Sequence, residues 1–246
     1  MEPQREHDMR DERRLGGWNL ARASIVLAVL LPGWAGSVAG DAARPRHIIY
    51  LHGRIVQDQQ IRRPRHPQYG YYELDKILEA FRGRGFVVSG EIRPKNATLS
   101  DSADRVVEQV RKLLDSGLPA GDVTVVGASM GAEITLLASA RLQNPDVRFA
   151  ILGACLSESV TGVVAEEGKG PSGRLLTIRE ASDDVTGTCP SWKQDPAQGP
   201  TLVVREIVIH TGLHHGFLYR PLPEWLSPVV EWAGDAGTSQ VVEPPK

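Results

Sequence analysis

Gly127-Ala128-Ser129-Met130-Gly131 sets one hydroxyl in a Gly-x-Ser-x-Gly pentapeptide. A serine hydroxyl is a weak nucleophile until a base takes its proton and an acid orients that base. The base candidates near the C-terminus are His210, His214 and His215. His210 closes a strand-like run and reads as a packed or loop-bonded residue. His215 stands in Leu213-His214-His215-Gly216-Phe217, a loop from which an imidazole can reach across a sheet edge, with Gly216 allowing a tight turn. The acid candidates, Glu180, Asp183 and Asp184, follow the run Leu175-Leu176-Thr177-Ile178-Arg179. Asp183 lies at the usual reach past a strand end and Asp184 is its close competitor; the carboxylates not used read as solvated turn residues. The three histidines have no carboxylate or thiolate at ligand spacing, so no zinc site is read and no metal or organic cofactor is expected.

These groups need elements to hold them. Val123, Val125 and Val126 form a short β-branched run that reads as a buried strand, and Ala132, Ile134, Leu136, Leu137 and Ala140 follow on a helical period. The pentapeptide therefore sits on a sharp strand-to-helix turn. A Cβ at either glycine would collide with the neighbouring strand or helix, and the helix N-terminus, with the amide of Met130, faces any oxyanion formed at Ser129.

Further strands are expected at His47 to Leu51, Phe86 to Ile92, Phe149 to Leu152, Leu175 to Ile178 and Leu202 to Ile209. Amphipathic helices are expected from Tyr71 to Phe81, from Ser100 or Asp101 to Leu114, and from Pro223 to Trp232. Arg54 to Pro67, with Arg62, Arg63 and Arg65, reads as a surface loop, and Leu156 to Gly173 as a longer polar one. His52-Gly53-Arg54 follows the first strand; His52 taken alone reads as a satisfied structural histidine. Strands alternating with helices imply a doubly wound, mostly parallel sheet of six or more strands with helices on both faces.

The chain has 246 residues and a formal charge of −2, which gives no electrostatic case for a nucleic-acid partner. Residues 1–42 differ from the rest. Arg10, Arg13, Arg14 and Arg22 precede an apolar run, Ala23 to Leu31, then Pro32 and Gly33, and the small residues Ser37-Val38-Ala39. That is the grammar of a secretory leader, and its apolar part is shorter than the roughly 20 residues of a membrane-spanning helix. The expected organisation is a leader over 1–42, one folded domain over 43–235 and a tail over 236–246. The mature protein is then exported, periplasmic or secreted, with membrane anchoring by an uncleaved leader as the alternative. An even cysteine count in an exported chain favours a bond between Cys155 and Cys189, whose preceding strands should be neighbours.

Taken together, His-Gly after the first strand, Gly-Ala-Ser-Met-Gly at the elbow, an acid after the next-to-last strand and His-Gly-Phe before the last helix resemble the α/β-hydrolase superfamily. The resemblance covers about His47 to Trp232, and the order serine, acid, histidine is the family's order. It implies Ser129 as nucleophile, Asp183 as acid and His215 as base. The Met130 amide is then one oxyanion donor, and the loop at Gly53 and Arg54 supplies the other. The implied activity is that of a small, cap-less serine hydrolase acting on a small-molecule ester, less readily an amide, through an acyl-enzyme. A hydrolase-fold binding protein with a silent site is the alternative, and the oligomeric state is left open.

Overall fold

The computed structural model describes residues 44–154, 170–186 and 202–235. The expected leader, the proposed bond between Cys155 and Cys189, most of the polar loop from Leu156 and the tail lie outside the described residues.

The hydrophobic runs become strands β1 (His47–Leu51), β4 (Val87–Ser89), β5 (Val123–Ala128), β6 (Arg148–Leu152), β7 (Gly173–Glu180) and β8 (Leu202–Ile209). Among the described residues they form one parallel sheet in the order β4-β1-β5-β6-β7-β8. Strands β5 and β6 are buried along their whole length, as a central parallel strand covered on both faces must be.

Alternation along β1 divides the core. Ile48 and Tyr50 pack with α2 (Leu74–Arg82) and α5 (Pro223–Gly234), whereas Ile49 and Leu51 pack with α3 (Leu99–Asp115) and α4 (Met130–Leu142). The sheet thus carries helices on both faces, and its central strands all end at one edge. That edge is where open α/β sheets place their chemistry, because loops from several strands converge there.

Three expectations are corrected. The stretch expected to be a surface loop holds a short helix, α1 (Arg54–Gln59), and the first strand of a hairpin, β2 (Arg65–His66) paired with β3 (Gly70–Tyr71). Helix α1 is polar on paper but buries Val56 completely, and the Gln57 amide donates to the carbonyls of Lys95 and Ala97. Helix α2 starts at Leu74 rather than Tyr71, because Tyr71 belongs to the hairpin. Helix α3 is capped by Thr98, two residues before Ser100 and three before Asp101, the expected starts. The Asp101 amide donates to Thr98 Oγ1 at 3.0 Å, and the Asp101 carboxylate completes the reciprocal box.

Candidate active site

Ser129 joins β5 to α4 with φ 52° and ψ −122°, a left-handed conformation that a residue with a Cβ adopts only under constraint. Its neighbours supply that constraint. A Cβ on Gly131 would lie 2.1 Å from the carbonyl oxygen of Leu51, at the end of β1. One on Gly127 would lie 2.2 Å from the carbonyl oxygen of Gly131. Only two glycines let helix α4 pass this close to β1 and β5. The Ser129 amide donates to the Leu152 carbonyl at 2.9 Å, which ties the turn to the end of β6. Met130 is the first residue of α4, where a helical amide has no acceptor within its own helix.

His215 and Asp183 converge on this serine from two other loops. His215 Nδ1 lies 2.8 Å from Asp183 Oδ2, and His215 Nε2 lies 2.9 Å from Ser129 Oγ. An ionised carboxylate only accepts, so Nδ1 carries the proton and Nε2 is left to accept from the serine hydroxyl. Asp183 is buried, which by itself raises its pKa. Hydrogen bonds from His215 and Thr186, electrostatic attraction to the His215 ring and the Val185 amide outweigh burial and hold the carboxyl below its usual range. Asp184 is exposed. His210 is exposed too, rather than packed. The positive φ in the histidine loop falls on Gly212 and His214, so Gly216 has a different role from the tight turn expected of it. A Cβ there would meet the Tyr69 ring at 3.1 Å, and Gly216 is the floor on which Tyr69 lies.

Glu180 is buried and is not the solvated residue expected. Its Oε1 accepts from the amides of Thr211 and Gly212 at 2.8 and 3.0 Å, and its Oε2 from the amide and hydroxyl of Ser182. One carboxylate therefore pins the loop after β7 to the loop after β8, the two that carry Asp183 and His215. Burial opposes its charge, but the Ser182, Gly212 and Thr211 hydrogen bonds prevail and lower its pKa. A depressed folded-state pKa means stabilisation that is present at neutral pH and lost as the pH falls through that lowered value. Glu180→Gln, which sets an amide donor against backbone N–H groups, should cost about 1–3 kcal/mol at pH 7. Urea unfolding of both proteins should show the gap narrowing as the pH is lowered below the usual glutamate range; a gap independent of pH contradicts this account.

Ser129 and His215 open into a cavity of about 500 Å³ whose lining includes Arg54, Ile55, Tyr69, Tyr72, Leu218 and Tyr219. The hairpin forms one wall. His66 stacks on Tyr69 at 4.5 Å between centroids, and Tyr69 meets the Tyr219 ring edge-on at 5.5 Å. Arg63 grips Glu73 through two guanidinium nitrogens and lies over the Tyr71 ring, which clasps the base of the hairpin. Sequence reasoning missed this wall; the signal available was the aromatic spacing Tyr69, Tyr71, Tyr72 around Gly70. Gly53 sits opposite, where a Cβ would lie 3.6 Å from that of Ser129. Among the described residues no group of His, Cys, Asp and Glu side chains is placed to hold a metal ion, and no helix is long and apolar enough to cross a membrane.

The sheet order, the elbow after β5 and the convergent loops after β7 and β8 make this an α/β-hydrolase fold. Neither a protein-family model nor a curated protein matches the chain. Solved structures similar to it include a candidate alpha/beta hydrolase of unknown function from Agrobacterium tumefaciens, 18% identical over 82% of this chain and 89% of that one, with a TM-score of 0.48. Est1E from Butyrivibrio proteoclasticus is 13% identical over 79% and 88%, with a TM-score of 0.45. SOBER1 from Arabidopsis thaliana is 13% identical over 77% and 98%, with a TM-score of 0.43. At identities this low, what the site does has to come from its own geometry.

Proposed function

We propose that the protein is a serine hydrolase that cleaves small-molecule esters through an acyl-enzyme. The observation that carries this reading is the unbroken hydrogen-bonded path from Ser129 Oγ through His215 to Asp183. In the forward step the Ser129 oxygen attacks the ester carbonyl carbon as His215 Nε2 takes the hydroxyl proton. The carbonyl π pair moves onto oxygen, where the Met130 amide and an amide of the Gly53–Arg54 loop receive it. The tetrahedral intermediate collapses, the C–O bond to the alcohol breaks, and the proton on Nε2 goes to the departing oxygen. Water then repeats the sequence on the acyl-enzyme, with His215 as base and Ser129 as leaving group. Asp183 stays ionised throughout, holding the tautomer and stabilising the imidazolium.

A cavity of about 500 Å³ lies within the range of small-molecule sites, and its aromatic and aliphatic walls suit an ester of modest size. The test is a fluorophosphonate probe with peptide mapping, followed by nitrophenyl esters of increasing acyl length. The expected result is a single adduct on Ser129 and turnover of the shorter esters. No adduct, together with no turnover above that of Ser129→Ala protein, rejects the reading.

A further inference from the structure

Arg93 is 8% exposed and lies on the segment that follows β4, behind the loop that carries Gly53 and Arg54. Its Nε donates to Gln57 Oε1 at 2.9 Å and its Nη2 to the His52 carbonyl at 2.7 Å. Among the described residues its Nη1 is buried without a hydrogen-bond partner, and no carboxylate pairs with the guanidinium. A guanidinium buried with no counter-charge destabilises a fold, so what it contacts is informative.

Those contacts fix two successive peptides. The Arg93 backbone amide donates to His52 Nε2 at 3.1 Å. A backbone amide can only donate, so Nε2 is the acceptor and the His52 proton sits on Nδ1, which donates to the Gly53 carbonyl at 2.9 Å. Burial first, and the Arg93 charge second, push the His52 pKa down to about 4, so the ring is neutral at physiological pH. The carbonyls of His52 and Gly53 are thus both held by the Arg93–His52 pair. In a trans peptide the N–H points opposite to its carbonyl, so the amides of Gly53 and Arg54 are turned the other way.

Of these two amides, that of Gly53 donates to the Tyr72 hydroxyl at 3.4 Å. That of Arg54 opens α1 and has no acceptor within the helix. Both residues line the cavity that contains Ser129. We propose that Arg93 and His52 are positioning residues that orient and polarise the Arg54 amide as the second oxyanion donor. The Arg93 amide fixes the His52 ring, whose Nδ1–H holds the Gly53 carbonyl of the peptide that carries the Arg54 N–H, while the Arg93 guanidinium holds the His52 carbonyl one peptide upstream, and hydrogen bonds in such a chain reinforce one another. The inference rests on the serine-hydrolase reading and selects Arg54 over Gly53 as the donor.

The test compares Arg93→Met, His52→Phe and Arg93→Lys with wild type on one nitrophenyl ester. Each protein is also titrated with a trifluoromethyl ketone, which forms a tetrahedral adduct on the serine. Thermal melting measures the folded fraction. The first two variants should lose about tenfold to a hundredfold in kcat with KM nearly unchanged, and ketone affinity should fall in parallel with kcat/KM. Arg93→Lys keeps a donor and should recover part of the loss. A merely structural role would lower the melting temperature but leave kcat per folded molecule, and ketone affinity, at wild-type values; that result overturns the proposal. Should Arg93→Met not fold, His52→Phe decides, because wild-type kcat and ketone affinity there also overturn it. A wild-type protein that neither turns over the ester nor binds the ketone removes the hydrolase reading and this inference with it, whereas an active wild type with unaffected variants removes only this inference.

Discussion

Ser129→Ala is expected to lower kcat for an activated ester by about 10⁴-fold or more while leaving the fold in place. The change deletes one oxygen from a half-buried position and keeps the Cβ, so the space around that Cβ is unchanged. His215 Nε2 loses its partner at the mouth of an open cavity, where water can replace it. Stability should therefore change by less than about 0.5 kcal/mol. The backbone gives a second readout. At φ 52° and ψ −122°, alanine carries the same strain as serine, of order 1–3 kcal/mol, whereas glycine does not. Ser129→Gly should be as inactive as Ser129→Ala but melt at a higher temperature. Activity within tenfold of wild type in either variant would remove Ser129 as nucleophile. Equal melting temperatures would show that the elbow is not strained.

The elbow was legible in the sequence because its determinants are local. Gly127, Ser129 and Gly131 lie within one turn of chain, and the strand before and helix after have strong periodicity. The α/β fold class was legible for the same reason, since each strand is a short hydrophobic run bounded by turn residues, and the central ones are buried throughout. Other features were not legible, because their meaning depends on partners far along the chain. Gln57 looks like a surface residue until Arg93, 36 residues on, donates to it. Glu180 looks like a turn carboxylate until the amides of Thr211 and Gly212, more than 30 residues away, close on it. Gly216 signals a turn when read alone, but its small size serves the Tyr69 ring, which arrives from the hairpin after α1. In each case a polar or small residue is buried by a contact that no local pattern encodes, and hydrophobic periodicity is silent about such contacts.

Asp183→Asn is expected to lower kcat by about 10⁴-fold at neutral pH, and Asp184→Asn to leave it within about threefold. The difference follows from what each carboxylate accepts. Asp183 takes the Val185 amide on Oδ1, and both Thr186 Oγ1 and His215 Nδ1 on Oδ2, so both oxygens face donors. An asparagine there has only one acceptor oxygen. With its NH₂ toward His215, donor meets donor, and the imidazole must move its proton to Nε2; the ring then points an N–H at Ser129 and cannot take the serine proton. With its NH₂ toward Val185, the tautomer survives, but that NH₂ meets the Val185 N–H donor to donor and the hydrogen bond that closes the loop on residue 183 is lost. The first arrangement abolishes the base and the second destabilises the loop that positions it. Neither arises at Asp184, which is exposed. The two variants should be compared by kcat at pH 7, with melting temperature as a control for loop collapse. A larger loss from Asp184→Asn would make Asp184 the acid in solution and would mean that the loop after β7 shifts by one residue during turnover. A small loss from both would leave His215 oriented by its burial and by Tyr69 alone, and the path from Ser129 to Asp183 would then have no part in the chemistry.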